Sequence, residues 1–171
     1  MNEINKKLKH YYLPIGLILI LSLSRVIPHP WNFTPVLATG IFAGYYFSQF
    51  FLGLFIVIFS MFLGDILLGF HVTMFFTYIS LFVAVFLGLF IKYLKYTDIL
   101  WSGLVSSISF FIITNFGVWQ ATDIYDKSLD GLMTCYIAAI PFFANTILST
   151  FFYLILIKFL LKSFAKQVKT V

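Results

Sequence analysis

The chain has 171 residues, of which 61% are hydrophobic, 21% aromatic and only 10% charged. So few charges cannot cover a water-soluble globule, and the composition predicts an all-α membrane protein in contact with the lipid bilayer. The net charge of +5 would suggest a nucleic-acid partner in a soluble chain, but here the lysines stand beside apolar runs and read as topology signals, so no nucleic acid is expected.

At roughly 20 apolar residues per span, the length suits one domain, residues 1–171, built as a compact bundle of six transmembrane helices. Lys6, Lys7 and Lys9 before an apolar run imitate a cleavable signal. The run continues to Ile27, however, and is read as a retained first span over 11–27, with Pro14 in its opening turn. Next comes Arg25 to Pro35, in which Pro28, Pro30 and Pro35 each remove a backbone donor and disfavour helix in the residue before. This predicts a stiff, polar turn between spans.

A second span over 34–48 carries Gly40 and Gly44, a small-xxx-small pair that permits close helix approach. The third, 53–69, contains Asp65, the one acidic residue inside any span. After the turn Gly69-Phe70-His71, a fourth span covers 72–91, and a fifth, 99–119, offers Ser102, Gly103, Ser106, Ser107 and Ser109 as small packing surfaces. The polar loop 120–130 holds Asp123, Tyr125, Asp126, Lys127 and Asp130. From 131 to 161 the apolar pattern persists for about 46 Å of helix, more than a ~30 Å hydrocarbon core needs. Pro141 predicts a break there, giving an outer helix or re-entrant piece 131–140 and a last span 141–161.

Six spans place both termini on one side. That side then holds the lysines at 6, 7, 9, 92, 95, 158, 162, 166 and 169, against only Arg25 and Lys127 on the other. The excess predicts that both termini are cytoplasmic.

With this topology the chemically versatile residues gather in the outer half. Arg25 and Asp65 lie at similar depth with opposite charge, which suits an ion pair locking two spans together, a ligand contact, or both. Asn115 and Trp119, one turn apart, combine a carboxamide with a flat indole, suited either to a planar polar molecule or to an interfacial helix contact. His29, Asn32, His71 and Tyr125 complete the candidates on the turns and the loop. Asn145 belongs to a stripe of Cys135, Ala138, Phe142 and Ser149 that recurs at helical spacing and should face the bundle. Two histidines without a carboxylate or thiolate at suitable spacing give no metal site, and no cofactor is expected. No nucleophile, base and acid arrangement and no phosphate-cradling loop can be assembled, so the chain does not read as an enzyme.

Four motifs taken together carry a resemblance that covers nearly the whole chain. They are Arg25-x-x-Pro28-His29-Pro30-x-Asn32-Phe33-Thr34-Pro35, Gly64-Asp65 with Gly69-Phe70-His71, Thr114-Asn115-Phe116-x-x-Trp119, and Gly131-Leu132 through Cys135, Pro141 and Asn145-Thr146. In these the chain resembles a family of small, uncharacterised bacterial inner-membrane proteins. That family is similar in size and layout to the substrate-binding S components of energy-coupling factor transporters. The resemblance implies a vitamin-like micronutrient captured in an outward-facing pocket under the Arg25–Pro35 turn, the 69–72 turn and the 120–130 loop. It also implies an energising ATPase module or another membrane subunit as partner. One departure is that 11–27 lacks the alanine-x-x-x-alanine surface such components commonly use for docking. The competing expectation is a structural or assembly subunit that packs on a partner complex through its small-residue faces.

Overall fold

The computed structural model describes residues 12, 15, 16, 18–20, 22–47, 49–93 and 95–169, with side chains through Lys162. The basic cluster Lys6, Lys7 and Lys9, and Pro14, lie outside the described residues, as do the side chains of Lys166 and Lys169. Most described residues between 12 and 23 are helical, and they lead into a 3-10 turn at Ser24–Val26. Five α-helices follow: α1 Val36–Tyr46, α2 Phe50–Leu68, α3 Met74–Gly88, α4 Tyr96–Ala121 and α5 Leu129–Lys169. No strand occurs among the described residues.

The fold is organised around the shortest helix. Every residue of α1 from Val36 to Gly44 is buried, and α1 packs against each of the other four helices. A helix that is apolar on all sides belongs inside a bundle, because no face of it gains from contact with water. Its tightest contact is with α3. A methyl group on Gly40 would sit 3.0 Å from the Cβ of Ala84, one on Gly44 would be driven into the carbonyl of Val85, and one on Gly88 into the carbonyl of Ile41. The predicted Gly40/Gly44 surface thus meets a complementary one at Ala84 and Gly88, and backbone lies almost on backbone.

The serine-rich face of α4 plays the same part against α5. Ser102, Ser106 and Ser107 are buried, and Ser107 Oγ donates to the carbonyl of Gly103 while lying 3.3 Å from Thr150 Oγ1. A methyl on Gly103 would reach the ring of Phe151 at 2.9 Å.

Three helices are long and apolar enough to cross a membrane: Phe50–Leu68, Tyr96–Ala121 and the Leu129–Lys162 part of α5. The helices predicted at 34–48 and 72–91 are realised as α1 and α3, but with 11 and 15 residues they rise only about 16 and 22 Å. The break predicted at Pro141 does not occur, since α5 runs unbroken from Leu129 to Lys169 with Pro141 inside it. Proline costs one backbone bond and a steric contact, about 3 kcal/mol. Long apolar segments flank it on both sides, and each must satisfy its backbone internally, which favours carrying the helix through.

Candidate functional site

Arg25, on the 3-10 turn, reaches across to α2, where its Nη1 lies 3.1 Å from Asp65 Oδ1 and 2.8 Å from the sulfur of Met61. Gly64 makes room for it, since a methyl there would stand 3.3 Å from the same nitrogen. The second carboxylate oxygen of Asp65 accepts a 2.8 Å hydrogen bond from Tyr78 Oη on α3. Asp65 is only 1% exposed, so both of its oxygens are engaged where water is excluded. That is the condition under which a buried ion pair holds elements together instead of costing desolvation without return. The expected Arg25 and Asp65 pair therefore joins the first helical stretch to α2, and Tyr78 extends it to α3.

Because α1 is short, space remains between its N-terminal end and the ends of the longer helices. This space is a cavity of about 670 Å³, within the ~300–1,000 Å³ typical of small-molecule sites. Thr34, Val36 and Leu37 form its base, and Arg25, Met61 and Thr77 contribute from the ion-pair side. One wall is α4, through Phe110, Phe111, Thr114, Asn115 and Val118. The other is α5, through Cys135, Ala138, Ala139, Phe142, Phe143, Thr146, Ser149 and Thr150. Trp31, Asn32, His71, Thr73, Ile124 and Tyr125 complete its lining from the connecting segments.

Four polar groups on these walls share one feature. Thr114, Thr146 and Thr150 donate their hydroxyl protons to the carbonyls of Phe110, Phe142 and Thr146, and Asn115 Nδ2 donates to the carbonyl of Phe111. Such back-bonding to the preceding turn is how hydroxyl side chains settle inside apolar helices.

The connecting segments are tied to the helices by identifiable bonds. Asn145 Nδ2 donates to the carbonyl of Trp31 at 2.9 Å, which fixes the Arg25–Pro35 turn on α5, and Ser149 Oγ, within 3.0 Å of the carbonyl of Thr146, also lies 3.3 Å from that of Asn32. Asn32 itself has φ of 61°, a left-handed conformation that asparagine tolerates better than most residues. The indole of Trp119 donates to the carbonyl of Asp126 at 2.8 Å. The Lys127 ammonium donates to the carbonyls of Trp119 and Thr122, acceptors that the end of α4 leaves open. Lys127 thus caps α4 and folds the loop back over it. Replacing Lys127 with alanine is expected to raise amide hydrogen exchange several-fold in residues 122–128 while leaving α2 unchanged, measurable by exchange mass spectrometry.

Of the residues singled out from the sequence, Arg25, Asn32, His71, Asn115 and Tyr125 line the cavity together. Asp65 stands behind Arg25 as its counter-charge. His29 points elsewhere, its Nδ1 lying 2.6 Å from the carbonyl of Ile27 beside a separate, smaller depression. Trp119 and Asn145, also singled out as ligand contacts, are not among the residues that line the cavity, and they hold the loop and the turn in place. The reason is that each found a backbone carbonyl from a connecting segment, whose path spacing on one helix does not reveal.

The sequence reading overlooked Tyr78 and the hydroxyl wall. Tyr78 gives no local signal, since a tyrosine in an apolar run reads as an interfacial ring. Thr146 and Thr150, by contrast, stand one turn apart on the face already marked by Ala138, Phe142 and Ser149, and that spacing could have found them. Among the described residues, no three or more His, Cys, Asp or Glu side chains come together in a group that could hold a metal ion.

No curated protein and no solved structure matches the chain. Residues 5–170, almost its full length, match the sequence pattern of the Family of unknown function (DUF6580), and the chain belongs to that family.

Proposed function

We propose that this protein captures a small, vitamin-like molecule and carries it across the bacterial inner membrane, from an outward-facing site formed by the cavity. The observation that carries the reading is that cavity of about 670 Å³, to which five separately predicted residues contribute from different parts of the chain. In this reading the bundle has six spans in an S-component-like layout, with both termini in the cytoplasm. The short α1 and α3 count as spans because turns complete their passage. The protein is a carrier, with no catalytic step, and an energising ATPase module or another membrane subunit drives release.

The rival reading, an assembly subunit docking through small-residue faces, is disfavoured by where those faces lie. Gly40, Gly44 and Gly88 are spent on the α1 contact with α3, and Ser102, Ser106 and Ser107 are buried inside the bundle. Neither face is left for a partner.

Native mass spectrometry of the full chain, purified in detergent from cells grown in rich medium, tests the proposal. A single small molecule retained on the protein is the expected result. Protein that carries no added mass and is not stabilised by any member of a broad vitamin and nucleobase panel would count against capture.

A further inference from the structure

We infer that the molecule held in the cavity is uncharged and planar and carries an amide-like edge, a carbonyl beside an N–H; this rests on the capture reading above. The inference follows from a balance of charge and of hydrogen-bonding capacity.

Among the described residues, Arg25 is the only lysine or arginine lining the cavity, and no aspartate or glutamate lines it. The charge of Arg25 is already matched, because Asp65 lies 3.1 Å from Nη1 and is almost wholly buried. The site is therefore neutral in sum. A ligand carboxylate would approach Arg25 with Asp65 just behind it and no second lysine or arginine among the described lining residues, His71 being engaged with Thr73 Oγ1. A ligand ammonium would meet the guanidinium without any lining carboxylate of its own. Either ion would leave water without a full counter-charge, a cost an uncharged molecule does not meet.

Hydrogen-bonding capacity then narrows the class. The wall hydroxyls of Thr114, Thr146 and Thr150 and the Asn115 amide have already given a proton to helix carbonyls. What the three hydroxyls still offer is lone pairs, which suit a ligand N–H, while Asn115 keeps its Oδ1 and a second N–H, itself an edge complementary to an amide. Donors stand at the other side. Arg25 has further N–H groups beyond those of Nη1, which serve Asp65 and Met61. The first turn of α1, whose cap Pro35 makes no side-chain bond, leaves backbone N–H groups open where Val36 and Leu37 line the cavity. Together these suit a carbonyl oxygen. The phenylalanines of α4 and α5 supply apolar faces for a flat ring.

Three probes of one shape and different charge test this: indole-3-acetamide, indole-3-acetate and tryptamine. Their affinities for the detergent-solubilised full chain are compared at neutral pH by equilibrium dialysis. The amide is expected to bind at least about tenfold more tightly than either ion. Asp65→Asn, which frees the charge of Arg25 but keeps a hydrogen-bonding side chain, is expected to shift the preference toward indole-3-acetate. Tyr78→Phe, which removes one bond and no charge, is expected to keep the preference for the amide and serves if the Asn variant does not fold. Preference of the wild type for either ion, or indifference among the three, including binding of none, overturns the inference. The capture reading falls separately, on the absence of any retained mass.

Discussion

Asp65→Ala is expected to cost about 3–5 kcal/mol of stability, because it leaves the Arg25 guanidinium in a water-poor setting without its counter-charge. Tyr78 Oη loses its acceptor in the same step, and three segments lose their common tie: the 3-10 turn, α2 and α3. Thermal or denaturant unfolding in a fixed detergent reads the effect. The double variant Arg25→Met with Asp65→Leu is expected to recover much of the loss, since removing both charges also removes the desolvation penalty. If Asp65→Ala unfolded with the wild-type midpoint, the pair would have no structural role. The Gly64-Asp65 motif would then need another explanation.

The second large effect is expected where α1 meets α3. Gly44→Ala and Gly88→Ala each place a methyl against a backbone carbonyl of the facing helix, which cannot move aside as a side chain would. A loss of about 1–3 kcal/mol or more is expected for each. Gly16→Ala is the control. Among the described residues nothing lies within 4 Å of the added methyl, and alanine favours helix over glycine by about 1 kcal/mol. That substitution is expected to be neutral or stabilising. An equal response at all three glycines would mean that the contact is looser than described, and α1 would lose its place as the centre of the bundle.

How far the sequence could be read depended on whether a feature is set locally. Long apolar runs need no partner to be recognised, and the spans read at 53–69 and 99–119 correspond to Phe50–Leu68 and Tyr96–Ala121. The Arg25 and Asp65 pairing was legible because an ionisable group in an apolar span has few ways to be satisfied. Gly40 and Gly44 signalled a close contact, although not that Ala84 and Gly88 would receive it.

Three features were hidden, and each depends on something remote. Continuity through Pro141 is decided by the segments on both sides of it, against the local rule for proline. The roles of Trp119 and Asn145 depend on where residues 126 and 31 return to the bundle. The cavity exists because α1 is short and buried from Val36 to Gly44, a relation between helix lengths that no single motif encodes.

A small molecule held in the cavity should be expelled by filling that space from Ala138, with little disturbance of the core. Ala138 lines the cavity and is exposed within it, so a larger side chain there enters open space and leaves the helix contacts alone. Native mass spectrometry of the wild type and of Ala138→Trp, purified in parallel, is the direct measurement. A retained small molecule is expected on the wild type and none on the variant, with similar unfolding midpoints once the wild type has been stripped. The same mass on both proteins, or no mass on the wild type, would contradict capture in the cavity.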